Sequence, residues 1–361
     1  MNSTKELAGQ HDLREACYFL LLKDKGKISL NIYENNNVIE KDTFAILEKS
    51  IFTTDQKERV AVLDTDKNII SLYRIHTSEK IELSIPYNIK PKTILINDDN
   101  LFLGGEITEE QREEWLMYDR VSDDKKACKV ILVQYHIQSE KWYQLETPLP
   151  EFDRKAIEDI LVNDNLLIAI DNIVMPKYIL FYKLNKTEKL AYSHFKQLNS
   201  NGTYEHIYQG RITSDYLGLR SRTVGRAGNA HHITFYKGLD LTESFAISAF
   251  NDFRKSKTHE YNDFLIIGNK AAIASKENGL GYFEIKDSYF NNNYVFPQAC
   301  GGAFTSFSNS EFNSQVRASK ISYKKYKNEN IIRLTQIPNT SKIVLSIKNK
   351  SKNIRHEIIE I

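Results

Sequence analysis

The segment Val130–Leu145 reads VILVQYHIQSEKWYQL: an apolar run ending in Tyr135, a polar turn, and a second run carrying Trp142. Alternation of this kind sends successive side chains to opposite faces of a strand, and two such runs around a short polar turn predict a β-hairpin. The phrase returns along the chain. It is found as ISLNIYENNNVIEKDTFAI around Tyr33, IISLYRIHTSEKIELSI around Tyr73, YILFYKLNKTEKLAYSHF around Tyr182 and HHITFYKGLDLTESFAI around Tyr236. Weaker copies are LGYFEIKDSYF around Phe283 and KIVLSIKNKSKNIRHEIIEI around Ile347.

Successive landmarks lie 40, 62, 47, 54, 47 and 64 residues apart. A four-stranded propeller blade repeats at ~40–50 residues, so the two long intervals contain insertions. Upstream of the hairpins stand pairs of shorter strands, clearest in KTILINDDNLFLGGEI (Lys92–Ile107) and AIEDILVNDNLLIAID (Ala156–Asp171), which match each other around ILINDDN and ILVNDN. Each unit thus has four strands. The fold expected is all-β: a single β-propeller of four-stranded blades over 16–361, seven blades favoured over six, with insertions at about 106–127 and 286–320. Residues 1–15 are expected to form a polar tail, and Thr108–Tyr118 a short charged helix within the first insertion. A β-sandwich pair would not repeat one phrase at a near-constant period, and solenoid coils are much shorter.

The third unit resembles a kelch repeat, with a strand ending in Gly104-Gly105 followed by Tyr135 and Trp142 at that family's Tyr-to-Trp spacing. The resemblance implies that the glycines permit close packing of blades and that the aromatics fill the space between them. In the fourth unit Ile170-Asp171 stands in place of the glycines and Leu190 near the place of the tryptophan.

Composition excludes several classes. Lys and Arg number 49 against 47 Asp and Glu, a net charge of +2, so no global field draws the chain to nucleic acid or an anionic bilayer. Cys17, Cys128 and Cys300 lack the spacing of a metal site or a disulfide framework and read as free thiols. No apolar run approaches the ~20 residues of a membrane helix, and Cys17–Leu22 is too short for a signal peptide, so a cytoplasmic location is expected.

Chemistry-bearing motifs are sparse. HExxH, P-loop, GxSxG, dinucleotide and CxxC patterns are absent from the sequence. His231 and His232 are adjacent, and neighbours on a strand face opposite ways, which argues against one shared metal. Asp98, Asp99 and Asp164 fit turns. The stretch RITSDYLGLRSRTVGRAGNAHH (Arg211–His232) places Arg220, Arg222 and Arg226 among glycines, as a loop offering guanidinium groups to a phosphate or carboxylate would. In the acidic insertion Trp115, Leu116, Met117 and Tyr118 are large side chains costly to expose.

On this strand reading the insertion, Asp171–Lys177 and the loop Thr223–Ala230 all join second to third strands and belong to one face. The function expected is a non-catalytic interaction platform binding a protein partner, an anionic ligand remaining open, through Arg220, Arg222, Arg226, His232, Trp115, Tyr118, Asp171 and Lys177. The alternative is a hydrolase or lyase acting on a carbohydrate or phosphoester at the channel mouth. No cofactor, metal, membrane or nucleic acid is expected.

Overall fold

The computed structural model describes residues 5–11, 17–24, 27–34, 37–45, 50–55, 59–74, 79–107, 131–147, 156–163, 165–171, 177–184, 188–198, 205–224, 228–252, 260–276, 278–290, 322–326, 329–337, 340–351 and 354–361. Among them the regular elements are strands, apart from one 3-10 turn at Asp287–Tyr289. The first sheet holds β1 (Lys5–His11), β2 (Cys17–Asp24), β3 (Lys27–Glu34) and β4 (Asn37–Ala45). The second holds β5 (Ile51–Thr54), β6 (Arg59–Asp64), β7 (Ile69–Arg74) and β8 (Lys80–Ser84). The third holds β9 (Ile89–Asn97), β10 (Asn100–Ile107), β11 (Leu132–His136) and β12 (Lys141–Gln144). The fourth holds β13 (Ile157–Asn163), β14 (Leu166–Asp171), β15 (Lys177–Lys183) and β16 (Ala191–Leu198).

The fifth sheet comprises β17 (Glu205–Ile212), β18 (Tyr216–Val224), β19 (Gly228–Lys237) and β20 (Ser244–Asp252). The sixth comprises β21 (Tyr261–Ile267), β22 (Lys270–Ser275), β23 (Gly279–Glu284) and β24 (Ser322–Lys324). The last has three strands, β25 (Glu329–Gln336), β26 (Lys342–Asn349) and β27 (Ile354–Glu360). Every sheet is an antiparallel meander in which chain neighbours pair. The chain divides into two compact units, Lys49–Leu198 and the pair of segments Met1–Glu48 and Asn199–Ile361.

The returning aromatics occupy one place. Tyr33, Tyr73, Tyr135, Tyr182, Tyr236 and Phe283 all lie on the third strand of their sheets. Ile347 does not: it lies on β26, the second strand, so the last copy of the phrase is the hairpin between second and third strands. The assignment of 1–15 to a tail is corrected as well, since Lys5–His11 pairs with β2 as the first strand of the first sheet. Its polar sequence hid it, because an edge strand needs few apolar residues. The expected helix at Thr108–Tyr118 lies outside the described residues.

A second periodic feature is a β-bulge on the first strand. The register shifts between Glu6 and Ala8, Ile157 and Asp159, Ile207 and Gln209, Tyr261 and Asp263, and Ile331 and Arg333. In the third sheet it shifts opposite Gly104 and Gly105, with Lys92 the extra residue. A bulge adds twist and releases one side chain from the ladder. The released side chains reach toward the next sheet: Lys92 pairs with Glu158, itself a bulge residue, and Asn262 donates to Asn330 Oδ1 at 2.8 Å and Ile331 O at 2.7 Å.

The cores lie between successive sheets of each unit. Leu63, Leu72, Leu101 and Tyr135 form one between the second and third sheets, and Phe102, Leu132, Ile157 and Tyr182 another between the third and fourth. In the other unit Phe235, Phe245 and Phe264 join the fifth and sixth sheets, and Leu280, Leu334 and Leu345 the sixth and seventh. First strands of neighbouring sheets touch within each unit, β5 against β9 and β9 against β13, and β17 against β21, β21 against β25 and β25 against β1. Glycine is required where sheets approach most closely: a Cβ on Gly104 would collide with Ile157, and one on Gly218 would stand 2.5 Å from Phe264 Cε2. Trp142 is half-buried, its ring tilted by 48° with the centroid 5.0 Å from that of Tyr135, against the core between the second and third sheets.

Candidate functional site

The Arg-rich stretch is strand where a loop was expected. Arg220 and Arg222 lie on β18, two residues apart and therefore on one face, and the connection to β19 shrinks to 225–227. Within the same stretch Gly218 makes room for the next sheet. Arg226 lies outside the described residues.

Four side chains meet where the fifth sheet abuts the start of β21. Tyr208 is the released bulge residue of β17, and its ring is 40% exposed where Lys92 and Asn262, in the same position of their sheets, are spent on sheet-to-sheet bonds. The guanidinium carbons of Arg220 and Arg222 each stand 5.8 Å from its ring centroid, within cation–π range. Arg220 is pinned from behind: its Nη1 donates to Tyr261 O at 2.9 Å and to Asn262 O. His231 on β19 faces Arg222 across the ladder.

The electrostatics follow from this crowding. Burial pushes the His231 imidazole down to about 4; Arg222, Arg220 and Lys276 push the same way, and Glu260 opposes them. His231 is therefore neutral at neutral pH. Burial raises the Tyr208 phenol, and the two arginines resist it. Glu260 is tied to Lys276, Nζ to Oε2 at 3.0 Å. Two nitrogens of the cluster, Arg222 Nε and His231 Nε2, are buried with no hydrogen-bond partner among the described residues. Such orphans cost about 1–3 kcal/mol each when left dry.

Beneath the cluster, Asp263 fastens the sheets together. It is 3% exposed, accepts Gln209 Nε2 at 2.7 Å and Arg211 Nη2 at 3.3 Å, and accepts the backbone N–H of Phe264 at 2.8 Å and of Leu334 at 2.9 Å. One carboxylate thus joins three sheets.

The remaining expected residues are placed differently. His232 is fully buried on the face opposite His231, and burial pushes it down to about 3. Asp171 is fully buried at the end of β14, in the register position of Gly105, and accepts Ala156 N–H at 3.4 Å. Neither offers surface to a partner in this structure. Lys177 opens β15 opposite Leu198. Trp115 and Tyr118 lie outside the described residues, in the connection from β10 to β11. The insertion, 172–176 and 225–227 each join a second strand to a third. Among the described residues no group of three or more His, Cys, Asp or Glu is placed to hold a metal. Tyr208, His231, Glu260 and Lys276 were missed by sequence reasoning. The Arg-Ser-Arg alternation at 220–222 is the signal that marks a strand face, whereas the bulge that exposes Tyr208 shifts the alternation and leaves no mark of its own.

No family model and no curated protein matches the chain. Its fold is nevertheless similar to solved structures. They include Kluyveromyces lactis Hsv2 (11% identity, 99% of this chain and 100% of that one, TM-score 0.51). Kuenenia stuttgartiensis hydrazine synthase is similar at 8% identity, covering 99% of this chain and 95% of that one, with a TM-score of 0.59. The β-propeller domain of Myceliophteria thermophila Cps50 (Swd1) follows at 9% identity, 99% and 97% coverage, and a TM-score of 0.56. Together with the meandering four-stranded sheets, these likenesses make the chain an all-β propeller.

Proposed function

We propose that the chain is a non-catalytic interaction platform that binds a protein partner. The similar structures include several named as enzymes, so fold alone favours neither binding nor catalysis. The observation that carries the reading is the cluster around Tyr208. It combines a half-exposed aromatic ring with two guanidinium groups, the residue types that dominate interface energetics. The segment 108–130, with Trp115 and Tyr118, supplies the other unit with a separate candidate surface, and a rigid scaffold carrying variable connections suits recognition.

The hydrolase or lyase reading has one supporting observation, the Glu260–Lys276 pair beside neutral His231. That pair is an ion pair at a partly exposed edge, and no carboxylate is hydrogen-bonded to His231 among the described residues. Affinity capture with the immobilised chain tests the two readings. A protein held by the parent and lost by Arg222→Gln or Trp115→Ala supports the platform; equal retention by all three overturns these surfaces. Turnover of a glycoside or phosphoester abolished by Glu260→Gln would support the enzyme.

A further inference from the structure

We infer that Arg220, Arg222, His231 and Tyr208 form a site for a phosphate monoester carried on a side chain of the partner. This rests on the platform reading and names the chemistry that the platform takes. Arg222 Nε and His231 Nε2 are buried, face each other across β18 and β19, and have no hydrogen-bond partner among the described residues. A buried guanidinium nitrogen is always a donor, and a neutral imidazole protonated on Nε2 is a donor also. An acceptor between them satisfies both donors.

The number of donors favours phosphate over carboxylate. A guanidinium fork binds two oxygens in parallel, and a carboxylate so held has spent both. The imidazole would then stay without a partner. A phosphate monoester has three terminal oxygens, two for the Arg222 fork and one for His231. Arg220 is held in a fixed position beside them, its Nη1 donating to the carbonyls of Tyr261 and Asn262. Among the described residues the acid that acts on His231 is Glu260, and Lys276 holds it. The exposed edge of Tyr208 is left to pack on the residue beside the phosphate.

Isothermal titration of the full chain tests this with inorganic phosphate, a phosphoserine peptide and the matching serine peptide. The phosphopeptide should bind, and its serine counterpart should bind at least about tenfold more weakly. Arg222→Gln should lose about tenfold or more of the phosphopeptide affinity with little change in melting temperature, since Arg222 makes no ion pair among the described residues. Arg222→Lys, which keeps the charge and loses the fork, should fall between them. In the parent the His231 ring resonances should titrate at higher pH with phosphate bound than without, as a neighbouring anion favours the imidazolium. Equal binding of both peptides would overturn the phosphate site while leaving the platform. Inorganic phosphate bound by the parent and lost in Arg222→Gln, with no affinity for either peptide, would overturn the partner-borne source and with it the platform. Phosphopeptide affinity equal in parent and Arg222→Gln would overturn the assignment of the site.

Discussion

At the scale of residues, two side chains report how the sheets are joined and two histidines how the fold responds to acid. Asp263 satisfies groups from three sheets, so Asp263→Ala leaves the backbone N–H of Leu334 and the Arg211 guanidinium without their acceptor. Arg211 is partly exposed and recovers some hydration. The expected cost is about 3 kcal/mol, read as a fall in the denaturant midpoint; a midpoint unchanged within error contradicts the fastening role. Trp142 packs against Tyr135 with tilted rings but is only half-buried. Trp142→Ala should cost about 2 kcal/mol, below the 3–5 of a fully buried tryptophan. The histidines set the acid behaviour. His231 and His232 stay neutral in the fold down to about 4 and about 3, while in the unfolded chain they protonate near 6.5. Between these values the unfolded chain binds protons that the folded chain refuses. The stability from their burial is complete above pH 6.5 and is lost as pH falls from there. The denaturation midpoint should already drop between pH 7 and 5, where carboxylates contribute little; a flat midpoint there contradicts the burial of both rings.

At the scale of elements, the returning phrase was legible because its aromatic is buried between sheets in unit after unit. Tyr135, Tyr182, Tyr236 and Phe283 are each at most 7% exposed. The same apolar requirement sets no constraint on which strand of a sheet bears it. The last copy therefore matched in sequence while lying one strand earlier. The Arg-rich strand was illegible for another reason: Gly225 and Gly228 beside the arginines read as a loop, whereas β18 runs to Val224 and β19 begins at Gly228. The candidate site depends on a bulge, a change of register that leaves composition untouched. The seventh sheet carries its own prediction. Ile361 N–H donates to Ser341 O, which fixes the phase of β27: 355, 357 and 359 bond to β26, and the amides of His356, Ile358 and Glu360 point outward. Among the described residues no strand covers that edge. These three amides should exchange with solvent much faster than those of Arg355, Glu357 and Ile359; uniform protection along β27 would show that a further strand covers the edge.

At the scale of the whole molecule, stability comes from many sheet-to-sheet contacts, each core shared by neighbours. On the proposed reading, recognition falls to local clusters and to the connections between strands. The near-balance of charge agrees with this: with a net charge of +2 no field acts over the whole surface, and binding has to be local. The measurement that tests this most directly is amide hydrogen exchange of the full chain with and without a purified, captured partner. The platform predicts that protection on binding is confined to 205–208, 220–224, 228–232 and 260–262 around the Tyr208 cluster, or to the connections 108–130 and 172–176, with the outer strands β8, β12, β16 and β20 unchanged. Protection concentrated on those outer strands, with the cluster and the connections exchanging as in the free chain, would contradict it.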